Sequence, residues 1–300
     1  MARAALLVTV VGDALLDVRV APTGVMRPRA DVPAVVDARP GGQGANIAVR
    51  LARRGVRTRL VSRLGRDASG TLVRAALAAD GVELVDLGAG RTGAVVVILE
   101  RDGERTMLSQ RVPLLAGRLD PELAAGTGWL VVSGYVLLEG GGRLSAPGTA
   151  SRRAIAGCAL DPAQADGWAA SAAALRPHLV VLNVDEARVL ATSDRQPADL
   201  SRALGERFGA LVVVTHATGA AVVVDGGIVQ VEQERSRPAR DTTGAGDAFT
   251  AVLVAELLDR DWPPSTDVLR EAIEGACAFA AAVTRVDGAQ GRVPGEAAVG

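Results

Sequence analysis

A glycine-rich segment near the C-terminus, residues 241–247 (DTTGAGD), carries the residue types that phosphoryl chemistry needs. Apolar residues follow at once, so the segment opens a predicted helix. A helix N-terminus presents unpaired N–H groups and a positive dipole, and glycines let an anion approach the backbone closely. Asp247 places a carboxylate at this same position. The two features agree if Asp247 accepts a proton while the backbone amides of residues 244–246 hold a phosphoryl group.

A second group of candidate residues follows the first predicted strand, residues 5–11. Asp17 lies five positions after Gly12, and Asp13 lies between them. Ligands of parallel sheets bind at the carboxyl ends of the strands. A carboxylate at that edge can accept hydrogen bonds from two hydroxyls of a polyol. Asp17 is therefore a candidate sugar ligand, and Asp13 is a second candidate for the same pocket.

The composition excludes several other chemistries. All 33 basic residues are Arg, so the chain contains no Lys. This excludes the phosphate-binding loop that needs a Gly-Lys pair, as well as Schiff-base aldolases and pyridoxal-phosphate enzymes. Two histidines are too few for a histidine-rich metal centre. The net charge of −1, with no basic stripe, predicts that nucleic acid is not a partner.

Cysteine usage and hydropathy bear on the compartment. Cys158 and Cys277 lie far apart and form no metal-binding spacing, so they are predicted to be small buried residues. No apolar run reaches the length of a membrane span, and we expect no membrane partner. With reduced cysteines and no recognisable signal peptide, the sequence predicts a cytoplasmic protein.

Alternating strands and helices must position these residues. Apolar strands separated by helices imply a mostly parallel sheet that is covered on both faces. The predicted fold class is therefore α/β, with three layers (α/β/α), in a single domain over residues 1–300. The predicted strands cover residues 5–11, 59–62, 129–133, 178–182 and 210–215, with a hairpin over 221–231, and the predicted helices cover 44–54, 67–79, 245–258 and 267–284.

Two segments interrupt this alternation. Residues 19–39 contain prolines and alternating apolar residues, which favours short strands. Residues 93–109 are predicted to form a hairpin, with its turn at residues 101–104. We expect both segments to form one small sheet, a lid over about 17–40 and 93–110, which can close over a ligand. The glycine-rich residues 139–148 are predicted to form a loop.

Two long motifs resemble the signatures of the ribokinase-like (PfkB) carbohydrate kinases. Residues 241–247 resemble the C-terminal signature, and residues 41–48 (GGQGANIA) are similar to the N-terminal signature, a Gly-Gly turn that holds sugar hydroxyls. A third match is residues 65–70 (GRDASG), and the ending over residues 283–290 also resembles ribokinases. These matches run from Gly12 to about residue 294, which is nearly the whole chain.

The resemblance implies an ATP-dependent kinase that phosphorylates a hydroxyl of a small carbohydrate. It implies that Asp247 is the general base, and that backbone amides form the anion hole, those of Gly244, Ala245 and Gly246. On the acceptor side it implies that a set of residues binds the sugar, namely Asp17, Gly41, Gly42 and Asn46, with Asp13 and Glu139 as further candidates.

On the nucleotide side the resemblance implies a second set of residues, Asn183, Glu186, Thr215, Ala217, Gly219 and Thr243. Asn183 and Glu186 match a motif that organises Mg²⁺ through water, and Mg²⁺ prefers oxygen ligands and retains several waters. Asp241 corresponds to a position that helps to hold a monovalent cation in many members, so K⁺ is a further expected ligand.

The chain also departs from the ribokinase pattern. Leu15 stands where ribokinases carry Asn, and Gln43 stands where they carry Lys, and both differences weaken the case for ribose. In the nucleotide loop 215–220, Ala217 replaces the first glycine of the pattern. His216 in this loop and Arg111 after the lid are both predicted to be solvated.

Three functions stay open on the sequence alone. A sugar kinase leads. A nucleoside kinase on the same fold would use the same Asp and anion hole, although an aromatic content of 2% offers few rings on which a base could stack. A catalytically weak sugar-binding homologue is the third. The resemblance also implies a homodimer through the lid, for which we predict an interface on Val35, Val95, Val97 and Leu99.

Overall fold

The structure is a computed structural model, and it describes residues 6–99, 105–114, 126–139, 152–233, 241–294 and 296. The predicted turn at 101–104 and nearly all of the predicted loop at 139–148 lie outside the described residues. In chain order the strands are β1 (Leu7–Val11), β2 (Leu15–Pro22), β3 (Ala34–Gly41), β4 (Arg57–Ser62), β5 (Glu83–Asp86), β6 (Gly93–Leu99), β7 (Arg105–Gln110), β8 (Thr127–Ser133), β9 (Arg152–Ala156), β10 (Leu179–Asn183), β11 (Leu211–His216), β12 (Gly219–Val224) and β13 (Gly227–Glu232).

The helices begin and end at residues that favour those positions. Asp67 caps one helix by accepting a hydrogen bond from the Gly70 amide at 2.8 Å. Gly55 and Gly81 follow helix ends with φ angles of 76° and 71°, as the sequence predicts for stop positions. The helices are α1 (Gln43–Arg53), α2 (Ala68–Ala79), α3 (Gly134–Leu137), α4 (Ala165–Ala174), α5 (Val184–Ala191), α6 (Pro197–Phe208), α7 (Ala245–Leu257) and α8 (Thr266–Val283).

Nine strands form the larger sheet, in the order β13-β12-β11-β10-β9-β8-β1-β4-β5. Every pair is parallel except β11 with β12 and β12 with β13. Alternate strand residues face opposite layers: Val10 packs in a cluster with α1, α2, α7 and α8, whereas Val11 packs with α3 to α6. The predicted three-layer α/β/α fold is therefore confirmed. Burial of each such side chain stabilises the fold by about 1.5–3 kcal/mol.

Four strands form a separate, smaller sheet in the order β3-β2-β6-β7, which confirms that the two interrupting segments pair with each other. Asp17 of β2 lies opposite Arg39 of β3 and Val95 of β6. Neighbouring strands point paired residues to one face, so Asp17, Arg19, Val95 and Val97 share a face. This face, here called the inner face, is turned toward the larger sheet's layers.

The predicted interface through Val95 and Val97 is wrong. These side chains are only 2% and 7% exposed and pack on the inner face with Leu15. The physical reason is the period of two along a strand, since β6 is apolar at successive positions and gives no sign of which set faces inward. The opposite, outer face is partly exposed and mostly apolar, with Thr106 and Gln110 of β7 as polar members, and its apolar residues include Leu16, Val18, Val20, Val36, Ala38, Val96, Ile98 and Leu108.

Both cysteines are free and buried, as the sequence predicts, and burial raises the pKa of the Cys158 thiol to about 12 and that of Cys277 to about 11. In the part of the chain that the structure describes, no helix is long and apolar enough to cross a membrane.

Candidate active site

The candidate residues gather where parallel strands of the larger sheet end. Asp13 follows β1, Tyr135 follows β8 and Gly157 follows β9. Asn183 is the last residue of β10, and Thr215 lies near the end of β11. The carboxyl ends of parallel strands meet at one edge, so residues distant in sequence border the same cleft.

The N-terminus of α7 provides an open set of backbone amides. Gly244 precedes the helix with a φ of 77°, and a Cβ there would lie 2.6 Å from the Cβ of Ala289, so only glycine fits. Among the described residues, no acceptor pairs with the amides of Gly246 and Asp247. A Cβ on Gly246 would meet no atom within 4 Å, so this position faces open space. An anion can therefore approach these amides directly.

Asp247 lies in the first turn of α7, beside these amides. Its Oδ2 accepts a hydrogen bond from Nδ2 of Asn46 at 2.8 Å. Burial raises the pKa of Asp247 to about 6; the hydrogen bond from Asn46 opposes that rise and the charge of Asp13 adds to it. A carboxylate with this pKa is ionised at neutral pH and still holds a proton better than an ordinary Asp, which suits a general base.

The N-terminal motif holds its side chains in fixed orientations. The Oδ1 of Asn46 accepts a hydrogen bond from Gln290 at 3.0 Å, so the Asn46 amide must donate to Asp247. The Oε1 of Gln43 accepts from the Ser133 hydroxyl at 2.6 Å and from the Gly134 amide at 3.1 Å. Gln43 therefore ties the start of α1 to the end of β8.

The paired glycines let two chain segments come close. A Cβ on Gly41 would collide with the carboxylate of Asp17. Gly42 has a φ of 97°, and a Cβ there would lie 2.6 Å from the Asp13 carbonyl oxygen. The motif therefore brings the start of α1 directly against both acidic residues, as the resemblance implies for a sugar pocket.

Asp17 is an acidic side chain whose carboxylate makes no direct pair within the described residues, although the charge of Arg111 acts on it. Within the described residues, no hydrogen bond or ion pair engages its carboxylate. Burial raises the pKa of Asp17 to about 6, and the nearby charges of Asp13 and Asp247 add to the effect. A partly buried carboxylate in this state gains from hydroxyl donors of a ligand.

Arg111 is not the solvated side chain that the sequence predicts. It forms an ion pair with Asp13, and its Cζ lies 3.4 Å from the ring centroid of Tyr135. This arrangement fixes one positive charge beside Asp17. The sequence gives no signal for the pair, because Arg111 and Asp13 are 98 positions apart.

Glu139 faces a different partner from the acidic cluster. Its Oε1 accepts a hydrogen bond from the Leu114 amide at 2.9 Å. The contact anchors the segment that follows β7 to the turn after α3. Of the predicted sugar-side residues, the structure brings Asp13, Asp17, Asn46 and Asp247 together. Glu139 instead accepts a hydrogen bond from a backbone amide.

Asn183 and Glu186 form a reciprocal cap at the start of α5. The Asn183 side chain accepts from the Glu186 amide, and the Glu186 Oε2 accepts from the Asn183 amide, both at 2.9 Å. Burial raises the pKa of Glu186 to about 8, opposed by the bond from the Asn183 amide, and the charge of Asp247 adds to the rise. Glu186, Asp247 and Gly246 border one cavity of about 160 Å³.

A second cavity of about 230 Å³ adjoins the first, since Thr215 and Gly246 border both. The predicted nucleotide residues Ala217 and Gly219 also line it. Thr243 does not: Thr242 lines this cavity, and Thr243 lines another beneath the small sheet. The sequence prediction of a solvated His216 is wrong, because the side chain is only 15% exposed and its Nε2 lies 3.5 Å from Glu232.

Asp241 lies at the other end of the glycine-rich loop, beneath the small sheet. Its side chain is 7% exposed, and its Oδ2 lies 3.2 Å from Nη1 of Arg19. The amides of Thr243 and Gly288 donate to its two oxygens at 2.9 and 3.0 Å. The sequence gives no indication of the Arg19 contact.

Comparison with known proteins agrees with this geometry. The family described as pfkB family carbohydrate kinase matches residues 5–295. A fructokinase from Klebsiella pneumoniae is 32% identical over 277 residues, which cover 85% of this chain and 89% of that protein. Ribokinase from Thermotoga maritima superposes with a TM-score of 0.76 at 21% identity, over 96% of each chain. Arabidopsis thaliana ribokinase complexed with ribose and ATP gives a TM-score of 0.74 at 23% identity, over 95% of each chain.

The fold and the cleft define a sugar kinase, and the chain belongs to the pfkB family of carbohydrate kinases. The protein is therefore an ATP-dependent phosphotransferase that acts on a sugar hydroxyl.

Proposed function

We propose that this kinase transfers the γ-phosphoryl group of ATP to a hydroxyl of a small sugar, with fructose as the first candidate. One observation carries the proposal: Asp247, with its raised pKa, lies beside the open amides in the first turn of α7, and its charge acts on Asp17 of the acidic pocket. Fructose is named first because the relative at 32% identity is a fructokinase.

On the acceptor side, Asp17 accepts hydrogen bonds from sugar hydroxyls. Its lack of a close partner among the described residues supports this role, and its carboxylate lies against the Gly41–Gly42 turn. The sugar hydroxyl that reacts donates its proton to Asp247, while Asn46 keeps that carboxylate in one orientation. Arg111, held by Asp13 and Tyr135, adds a fixed positive charge at the edge of this pocket.

On the nucleotide side, the amides of residues 244–247 stabilise the charge that develops on the transferred phosphoryl group. The adjoining cavity that Thr215, Ala217 and Gly219 line holds the rest of ATP. Its position supports this assignment because it meets the Asp247 cavity at Gly246. His216 lines one side of this cavity, and its Nε2 lies 3.5 Å from the Glu232 carboxylate.

Mg²⁺ fits the donor set of the smaller cavity. Glu186 and Asp247 supply carboxylate oxygens there, and Mg²⁺ is usually held by one or two carboxylates together with substrate phosphates and waters. Glu186 and Asn183 would hold it, through water. The ion would neutralise phosphate charge. A Glu186 pKa near 8 falls when a cation is bound, so Mg²⁺ binding should release a proton from this residue.

The small sheet acts as a lid over the cleft. We further propose a homodimer whose interface is the outer face of this sheet, and a location in the cytoplasm. Val36 and Leu108 on this face are 62% and 57% exposed, and contiguous exposed apolar surface marks association sites. The occupant we favour is the same sheet of a second copy. Val36→Asp should give a monomer. Val35→Asp is the matched control, because Val35 is 63% exposed but points to the inner side of the same strand.

A nucleoside kinase is not favoured. Tyr135 is the aromatic residue beside the acidic pocket, and Arg111 already covers its ring at 3.4 Å. No described residue next to Asp17 thus offers an uncovered ring for base stacking. A catalytically weak sugar-binding homologue is opposed by the open amides and the raised pKa of Asp247.

The test is ADP release by the purified protein with ATP and Mg²⁺ against fructose, ribose, glucose and adenosine. Asp247→Asn serves as the inactive control. We expect the highest kcat/KM with fructose and a phosphorylated sugar as the product. Phosphorylation of adenosine but of no sugar would overturn the proposal, as would equal turnover by the control variant.

A further inference from the structure

Arg19 and Asp241 form an ion pair that joins the small sheet to the glycine-rich loop. Arg19 belongs to β2 and points to the inner face, where its Nη1 lies 3.2 Å from the Asp241 Oδ2. The two side chains are 27% and 7% exposed. The pair is therefore largely shielded from water at the point where the loop that carries the anion hole begins.

Each carboxylate oxygen of Asp241 also accepts a hydrogen bond from a backbone amide. The Thr243 amide donates to Oδ1 at 2.9 Å, and the Gly288 amide donates to Oδ2 at 3.0 Å. Burial opposes ionisation, but the Thr243 and Gly288 bonds and the Arg19 charge hold the pKa of Asp241 below its usual value. The carboxylate is thus ionised and oriented by this chain's own groups.

This donor set does not fit a monovalent cation. Such a cation needs oxygen ligands and gains nothing from N–H donors, and a guanidinium already contributes the positive charge at Asp241. A second positive ion at the same oxygen would meet direct like-charge repulsion. The K⁺ that the family resemblance implies at Asp241 therefore disagrees with the residues present.

A second arginine of the small sheet binds the neighbouring loop. Arg39 of β3 donates from Nη1 to the Asp287 carbonyl oxygen at 2.9 Å and pairs with Asp37 on its own strand. Asp287 precedes Gly288, whose amide binds Asp241. Two arginines of the inner face thus contact two loops that are hydrogen-bonded to each other, and of these two arginines Arg19 is the one that pairs with the Asp241 carboxylate.

We propose that the Arg19 guanidinium takes the place of the monovalent cation, so that this kinase is active and fully stable without K⁺. Arg19 is then a positioning residue: it orients Asp241, and through Thr243 the loop of residues 241–247, and it does so when the small sheet lies over the cleft. The inference rests on the proposed role of that loop in phosphoryl transfer.

The experiment compares the full-length protein in KCl and in choline chloride at equal ionic strength, with two readouts. One is the midpoint of thermal unfolding without substrates, and the other is kcat. The unmodified protein should give the same values in both salts. A saturable rise of either value with KCl would overturn the proposal, since a bound ion stabilises by RT ln(1 + [L]/Kd).

Arg19→Gln is the decisive variant. In choline chloride its kcat should fall by about tenfold or more, because small misplacements of an anion hole are costly. KCl should restore both kcat and the unfolding midpoint saturably, because the Asp241 carboxylate then lacks its cation. Indifference of this variant to KCl would overturn the proposal. Arg39→Gln is the matched control and should acquire no K⁺ dependence.

The experiment separates failure of the K⁺ proposal from a variant that does not fold and from failure of the proposed sugar-kinase function. If Arg19→Gln does not fold, Arg19→Lys retains a positive charge and should fold and stay indifferent to KCl, and dependence on KCl in that variant would contradict the proposal. If no sugar is phosphorylated, the proposed function fails, while the substrate-free unfolding midpoints still decide whether Asp241 binds K⁺.

Discussion

Two aspartates six positions apart, at the two ends of one glycine-rich loop, lie in opposite electrostatic states. Asp241 is paired with Arg19 and has a lowered pKa, whereas Asp247 has a pKa raised to about 6 and a neutral amide, Asn46, as its hydrogen-bond partner. The difference comes from which other elements the fold brings to each end. The Arg19 guanidinium of the small sheet keeps Asp241 ionised and fixed in place. Burial and the charge of Asp13 raise the pKa of Asp247, so that it can accept a proton.

The two aspartates affect the stability of the fold with opposite pH dependence. The folded-state pKa of Asp247, about 6, is above the ordinary value of 3.8, so the protonated side chain stabilises the fold below about pH 4, and this contribution is lost as pH rises through about 6. At neutral pH the ionised Asp247 therefore costs about 1–3 kcal/mol. Asp241 has a lowered pKa, so it stabilises above its unfolded-state pKa, and that contribution is lost as pH falls.

The largest expected effect is loss of turnover in Asp247→Asn. The amide cannot accept the hydroxyl proton, so kcat should fall by about 10²–10⁴-fold, the usual range for a general base. Binding of ATP and of the sugar should change little. Asp199→Asn, the same replacement at an exposed position in the first turn of α6, is the control and should keep wild-type kcat. Steady-state kinetics that found normal turnover in Asp247→Asn would remove the residue from the mechanism.

Asp17→Asn should act on sugar binding. Losing a charged acceptor of two hydroxyls costs on the order of 2–3 kcal/mol, which corresponds to a sugar KM raised by about 30–160-fold, with KM for ATP unchanged. Asp37→Asn is the control, because Asp37 is an acidic residue on the inner face of the same sheet and pairs with Arg39. Equal changes in both KM values would mean that Asp17 supports the fold and not the sugar.

Arg111→Met removes the positive charge that pairs with Asp13 and acts on Asp17 and Asp247. Arg111 lowers the pKa of both Asp17 and Asp247, so its removal should raise them further. The acidic limb of the pH dependence of kcat should then move up by about 0.5–1 unit. Arg63→Met, an arginine that donates to the Leu114 carbonyl outside the cluster, should leave the limb in place. An unshifted limb in Arg111→Met would show that the Asp13 pair screens the guanidinium fully.

The smallest expected effects are shifts in thermal stability, and their signs are opposite. Asp247→Asn should raise the unfolding midpoint by about 2–6 °C, since it removes a destabilising buried charge. Asp241→Asn should lower the midpoint by a similar few degrees, since it leaves Arg19 without its partner. Calorimetry at pH 7 measures both. Shifts of the same sign would contradict the contrast between the two residues.

Local sequence signals predicted the parts of the site that depend on neighbouring residues in the chain. The start of α7 follows from Gly244 and Gly246, whereas the sugar-side role of the paired glycines came from the family resemblance, and their contact with Asp17 is seen only in the structure. These signals work because a helix N-terminus and a positive φ are decided within a few residues. The larger and smaller sheets were likewise predictable from apolar runs and from their interruption.

Long-range charge pairing was not predictable. Arg19 of β2 contacts Asp241, and Arg111 after β7 contacts Asp13, only because the tertiary fold places the small sheet beside the glycine-rich loop and the end of β1. The inward face of β6 was assigned wrongly because Val95, Val96 and Val97 are all apolar. α4 escaped prediction because alanine occupies both its buried and its exposed sides, which removes the periodic contrast that marks a helix face.

The most direct test of the central claim is the pH dependence of kcat for the unmodified protein at saturating ATP, Mg²⁺ and sugar. A base with the environment of Asp247 must be ionised to work, so log kcat should rise with unit slope at acidic pH and level off above an apparent pKa of about 6. A profile that stays flat down to about pH 4.5, near the value of an unperturbed Asp, would contradict the assignment of Asp247 as the base.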